Sequence, residues 1–302
     1  AAPYKQVHSV TTTLHFCTFN CAASHNFSLH TPSVAYIRSY QRKRNMQYSL
    51  SLVEKDLHGD LLSVWNYPNV ASPIQQLIEK LVTAAGQSSF LYTKVKSEWI
   101  YVLTVPVKSG NVVKAASLGL VCATSFNPEK WQAVLKLLLQ QYLDNNGEPV
   151  KILEAYLALM TQGKFGGFDA NDPEMVDTKA PLAVGTLKDM WCDFGFDTII
   201  LYNAMLLKKR ILVVGDSLAN LLSFMRSIPQ LVIHRNDWSV LRPLVLENPL
   251  QLEDLAQAGI FVAGTLDARL ATTKQFAYDV LVSLPEKRVT ISVDSTTDLK
   301  MC

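Results

Sequence analysis

The chain has 302 residues, 49% of them apolar and 18% charged, with a formal net charge of +2. That much apolar surface can bury a core, which excludes a disordered chain, and the length leaves room for two lobes. So small a charge, without a dense Lys/Arg face, gives no reason to expect nucleic acid, and no uncharged apolar window reaches the roughly 20 residues of a membrane span.

Residues 1–45 are rich in Ser, Thr and His and have no sustained period of 2 or 3.6. They end in Arg42-Lys43-Arg44, just before Met46, and read either as a flexible leader or as sequence upstream of a true start at Met46. From there Tyr48, Leu50 and Leu52 alternate with Gln47, Ser49 and Ser51, as in a strand with one buried face. His58-Gly59 marks a hairpin turn, and Leu61 to Tyr67 is the partner strand. Trp65 and Tyr67 then share one face, with Leu62 and Val64 on the other. The pair is either a core contact or an exposed anchor for a partner.

Ser72-Pro73 opens a helix with cap and first-turn proline, and Gly86 stops it. Phe90 to Val95 and Trp99 to Val107 form a second hairpin, and Ala116 to Ala123 a fifth strand. Asn127-Pro128-Glu129 starts a long helix that buries Trp131, Leu135, Leu138, Leu139 and Tyr142. Asn145-Asn146-Gly147 breaks it, and Pro149 to Met160 is another helix. Residues 46–162 thus form a first lobe, ββαβββαα and mostly antiparallel. Residues 163–179, with three glycines, Pro173 and little apolar period, read as a linker.

The second lobe, residues 180–302, is organised around Phe194 to Val214. Phe196, Ile199, Ile200, Asn203, Leu206 and Leu207 form a helical stripe, and Leu201, Tyr202, Ala204 and Met205 fill the other side. A helix so apolar is expected to be buried all round. Lys208 to Arg210 complement the negative end of its dipole. Ile211 to Val214 is a buried strand, and Asp216 or Ser217 caps a helix from Leu218 to Ser227. Pro249 to Ala258 is a helix; Ile260 to Gly264, Tyr278 to Leu284 and Arg288 to Val293 are strands. The fold class is α/β in two lobes: a mixed sheet with helices, then a layered α/β lobe.

Several motifs suggest chemistry and do not sustain it. Gly215-Asp216-Ser217-Leu218 looks like the nucleophile block of a GDSL-type esterase, but His234 is the only later histidine and no Asp-x-x-His follows. A helix cap explains Ser217 better. Asp193-Phe194-Gly195 and His234 to Asp237 stand in the wrong order and spacing for a protein kinase. Gly163-Lys164 lacks the Ser/Thr and strand context of a phosphate loop. His15, Cys17, Cys21, His25 and His30 are too closely spaced for a zinc finger. No catalytic residue, cofactor or metal is therefore expected. Of the five cysteines, Cys122 and Cys192 lie in apolar segments and read as buried thiols, fitting a reducing, cytosolic compartment. Arg235, Asp237 and Trp238 follow a strand-like run and read as a structural tryptophan with a nearby ion pair, or as part of a partner surface.

With the two lobes placed, the chain resembles the DENN-domain family. The matching segments are Leu52 to Asp56, Val64 to Pro68, Phe126 to Lys130, Met205 to Ile211 and Leu231 to Asp237 with Trp238. The resemblance implies a longin-like first lobe and an α/β DENN lobe. It also implies guanine-nucleotide exchange on Rab GTPases in late endosomal trafficking. Exchange of this kind is catalysis by binding, because factor and nucleotide weaken each other's hold on the GTPase. A scaffold role is implied as the alternative, through coiled-coil subunits of an endosomal-recycling, Commander-type assembly. The partner-binding residues expected on this reading are Trp65, Tyr67, Arg235, Asp237 and Trp238. The location implied is cytoplasmic, peripheral to late endosomes. Relatives continue with further helical sequence beyond this point, so the second lobe is expected to be incomplete.

Overall fold

Two five-stranded sheets, one antiparallel and one largely parallel, carry the architecture. The computed structural model describes residues 48–86, 89–107, 113–123, 126–170, 172, 187–235, 237–273 and 277–292. The leader, most of the second half of the linker, Cys17, Cys21 and Cys302 lie outside the described residues.

The first lobe runs β1 (Ser49–Asp56), β2 (Leu61–Tyr67), α1 (Ser72–Ala84), β3 (Ser89–Val95), β4 (Glu98–Pro106), β5 (Val113–Cys122), α2 (Pro128–Asp144) and α3 (Pro149–Gln162). This is the expected ββαβββαα order. The strands lie β2-β1-β5-β4-β3, so β2 and β3 are the two edges. Helix α1 covers one face. Its close approach depends on Gly119, where a Cβ would come within 3.0 Å of Ile78. The cap position of α1 falls on Ala71, with no side-chain cap bond, so Ser72 sits one residue inside the helix rather than at its cap. Helix α2 starts as expected, and Asn127 caps it by accepting from the Lys130 amide at 3.0 Å. Its stripe, Trp131, Leu135, Leu138, Leu139 and Tyr142, is buried on the opposite face. Gly163, at φ 75°, ends α3. The start of the expected linker is a small hairpin, β6 (Lys164–Phe165) with β7 (Phe168–Asp169).

The second lobe runs α4 (Leu187–Phe194), α5 (Asp197–Leu206), β8 (Ile211–Val214), α6 (Leu218–Ser227), a kinked 3₁₀ segment (Ile228–Arg235), β9 (Leu241–Arg242), α7 (Pro249–Gln257), β10 (Val262–Thr265), a 3₁₀ turn (Ala268–Ala271), β11 (Val280–Ser283) and β12 (Arg288–Ile291). The order β12-β11-β8-β10-β9 puts β8 at the centre, parallel to β10 and β11. Ile211 and Val213 face the main core, while Leu212 joins a smaller core with Leu255 and Phe261 on the other side. A strand buried on both faces has to be apolar throughout, which explains its β-branched run. Ser217 Oγ accepts from the Asn220 amide at 3.3 Å and caps α6, the helix-cap reading of that residue.

Two expectations are corrected here. Helix α5 is not buried all round: Thr198, Leu201, Ala204 and Met205 face the core, while Phe196, Ile199, Tyr202 and Leu207 are exposed. The stripe read from the spacing is a true helical face, but it points outward. Periodicity reveals that a helix has faces; when both are apolar it does not say which one is covered. Cys122 is buried as expected, but Cys192 is exposed, because it lies on the outer side of α4. Lys208 to Arg210 follow the end of α5 as expected, and Arg210 also grips Asp279 with Nε at 3.0 Å and Nη2 at 3.2 Å, clamping the start of β11 beside β8.

Candidate functional site

The candidate site residues fall in three places. Trp65 and Tyr67 lie on β2, the free edge of the first sheet. Asp237 and Trp238 lie beside the opposite edge, where β3 meets β9 of the second sheet, and Arg235 lies at the C-terminal end of α5. Five strands at about 4.8 Å spacing put these two edges roughly 19 Å apart.

At the β2 edge, Leu50 pairs with Tyr67 and Leu52 with Trp65, after which Val53 pairs with Ser63. Val64 is the extra residue of a bulge, and a bulge resets the alternation. Leu62, paired with Glu54, therefore shares the face of Trp65 and Tyr67 instead of lying opposite. The two rings stack at 6.1 Å with their planes 7° apart, and Tyr67 meets Tyr156 of α3 edge-on at 6.1 Å. Trp65 is half-buried against the core, Tyr67 is 39% exposed and Leu62 is 63% exposed. The pair thus belongs partly to the core and partly to the surface.

At the joint between the lobes, Trp238 is half-buried against Phe126, ring centroids 5.0 Å apart. Phe126 in turn touches Trp99 at 4.6 Å and Tyr92 at 5.5 Å. Around these rings runs a set of buried polar contacts. Thr93 Oγ1 donates to the Leu244 carbonyl at 2.7 Å, and Gln251 Nε2 donates to the same carbonyl at 2.9 Å. Lys94 Nζ donates to the Ser239 carbonyl at 2.7 Å and lies over the Trp99 ring. Arg242 pairs with Asp254 at 2.6 Å, both buried, and also donates to the Ser239 carbonyl at 2.8 Å. Arg226 of α6 pairs with Glu129 of α2. Burial of Lys94, with Arg242 nearby, lowers its ammonium to about 8, and burial pushes the Tyr92 hydroxyl up to about 12. Buried polar groups that find partners fix one arrangement of the parts they join.

Arg235 does not pair with Asp237. Its guanidinium donates to the carbonyls of Met205 at 2.7 Å and Leu206 at 2.9 Å, the C-terminal end of α5. It adds a cation at the negative helix end, where Lys208 to Arg210 were also expected to place positive charge. Asp237 is exposed and accepts from the Ser239 amide at 2.8 Å. Sequence reading missed most of the joint. Its traces were Thr93-Lys94 inside an apolar strand and Gln251 on a core-facing helix position, polar residues where a core alone would want none.

Among the described residues, no group of three or more His, Cys, Asp and Glu side chains is placed to hold a metal ion, and no helix is long and apolar enough to cross a membrane. The described residues form a mixed α/β fold in which edge strands β3 and β9 of the two sheets come into contact. Residues 186–293 match the family model described as SPA, stabilization of polarity axis. The chain is similar to DENN domain-containing protein 10 of Danio rerio, 36% identical over 268 residues, covering 85% of this chain and 75% of that protein. Similarity to DENN domain-containing protein 10 of Homo sapiens is 32% over 258 residues, covering 82% and 71%, and to that of Dictyostelium discoideum 30% over 274 residues, covering 83% and 74%. The chain belongs to the DENN-domain family, among the proteins of the DENN domain-containing protein 10 type.

Proposed function

We propose that the chain is a guanine-nucleotide exchange factor for Rab-type GTPases, cytoplasmic and peripheral to late endosomes. Family membership over 85% of the chain carries the reading. The lobe joint supports it on physical grounds. An exchange factor shifts its GTPase toward a nucleotide-free state only by its differential affinity for that state. A surface built from two lobes can hold such a difference only if the lobes keep a fixed relation, and the ring cluster and buried hydrogen bonds around Phe126, Thr93 and Lys94 provide one. Asp237 and Trp238 sit at the rim of this joint, where a GTPase touching both lobes would meet them. The test is release of fluorescent GDP from a panel of Rab proteins by the purified 302-residue chain. Acceleration over intrinsic release for at least one Rab is expected; none for any Rab overturns the reading.

A second reading is favoured by the β2 edge. Leu62, Trp65 and Tyr67 present apolar and aromatic surface on one face of a free edge strand. Aromatic side chains in such positions are the usual anchors of protein interfaces. This reading makes the chain an adaptor that binds coiled-coil subunits of an endosomal-recycling assembly.

A further inference from the structure

Helix α5 presents a second exposed apolar surface, unlike the β2 edge in shape and charge. Phe196 is 79% exposed, Ile199 44%, Tyr202 41% and Leu207 48%, and Trp191 of α4, 47% exposed, meets Phe196 edge-on at 5.8 Å. Phe196, Ile199 and Tyr202 recur at i, i+3 and i+6, along one side of the helix. Several large apolar side chains side by side exceed the scattered single exposures that need no explanation. The stripe is also convex: its most exposed member, Phe196, stands at the corner between α4 and α5. Two cavities beside this lobe's sheet are lined by other residues.

The charge around the stripe is basic. Lys188 is exposed one turn before Trp191 on α4, and Lys208 is exposed directly after Leu207. His234 and Arg235 are exposed beside the same helix end, with Arg235 on its last carbonyls. Of the nearby acids, Asp193 is paired with Lys287 at 2.6 Å, while Asp197 is turned toward β12, where it accepts from the Val289 amide. Asp189 lies with Asp193 on the side of α4 that faces the cleft toward α6, away from Trp191.

We propose that the α4–α5 face docks on an anionic lipid surface. A protruding corner of Trp, Phe and Ile inserts into a soft headgroup layer without the matching groove that a rigid protein partner would have to supply. Lys188, Lys208 and Arg235 then lie level with the lipid phosphates, where each basic side chain adds to the attraction. The β2 edge is mixed in charge instead: Lys55 as well as Asp56 and Asp60 flank its exposed Leu57 and Leu62. The proposal does not rest on the exchange reading, and its test contains no GTPase.

The test is co-sedimentation of the 302-residue chain with phosphatidylcholine vesicles, with and without phosphatidylserine. Binding to the phosphatidylserine vesicles is expected, falling as salt screens the charges. The double variant Phe196→Ser, Ile199→Ser should lose most of the bound fraction; both side chains are exposed, so the fold should survive, as circular dichroism would show. Lys188→Gln and Lys208→Gln should each weaken partition by about fivefold, the factor for about 1 kcal/mol per basic residue. Leu62→Ser should bind as the parent does. No sedimentation above a vesicle-free blank, equal binding to uncharged vesicles, or an unaffected double variant would each overturn the proposal. So would self-association without vesicles that the double variant abolishes, since the face would then be a protein interface.

Discussion

The ring cluster at the lobe joint and the ring pair at the β2 edge use the same chemistry in opposite settings. Phe126, Trp99 and Tyr92 are buried and touch rings on several sides, and Trp238 reaches them from the other lobe. Trp65 and Tyr67 touch each other and Tyr156, and keep part of their surface outside. What separates them is the neighbour available to each edge strand. Strand β3 has the second lobe beside it; β2 is the last strand of its sheet. Aromatic residues in a sequence therefore indicate contact, and the topology decides whether the contact is internal.

The largest effect is expected where the rings are buried. Phe126→Ala removes a ring that touches Tyr92, Trp99 and Trp238 together, and should cost about 3–5 kcal/mol, the range for deleting a buried aromatic. Urea unfolding followed by tryptophan fluorescence measures it. A cost under about 1 kcal/mol, typical of exposed positions, would erase the contrast with the β2 edge.

The polar part of the joint gives a pH signature. Lys94 has its ammonium lowered to about 8, chiefly by burial, and Arg242, Asp237 and Asp254 act on it as well. The unfolded chain keeps the ordinary lysine value near 10.4. Between these values the unfolded state binds more protons, so stability should rise with pH from about 8. The rise should turn over near 10, where unfolded tyrosines begin to ionise while Tyr92 stays protonated until about 12. Unfolding free energies measured from pH 7 to 10 check the sign, and Lys94→Met should flatten the rise. A decline over that range in the parent would mean that Lys94 is not held in the joint as described.

The contrast also explains which parts of the structure could be read in advance. The order of the first lobe, the cap at Asn127, the buried strand Ile211–Val214 and the cap at Ser217 each follow from local pattern, and each is present. The joint was not legible, because Thr93, Lys94, Gln251 and Arg242 find partners about 10 to 160 residues away and carry no local signal. Helix α5 shows a different limit. Its stripe was visible, but with apolar residues on both sides only the packing of the lobe could assign the outer face. At the β2 edge one inserted residue, Val64, moved Leu62 to the face of Trp65, and strict alternation cannot foresee a bulge.

The smallest effect on stability, and the sharpest test of the comparison, belongs to Trp65 and Tyr67. Tyr67 is 39% exposed, and its lost contacts are the stack on Trp65 and the edge contact with Tyr156. Pairs of this kind contribute about 0.5–1.5 kcal/mol each beyond burial, so Tyr67→Ser should lower stability by about 1–3 kcal/mol and leave the chain folded. Trp65, half-buried against the core, should cost more than Tyr67 but less than Phe126, because its face is open on the side away from β1. Circular dichroism melts of the two single variants set that order. Capture of coiled-coil subunits by each folded variant then separates the two roles the edge could have. Loss of capture by Tyr67→Ser with a small change in melting temperature would identify an anchor. Full capture by both variants would leave the pair as the rim of the first core, and the difference between the two ring groups would then be one of depth alone.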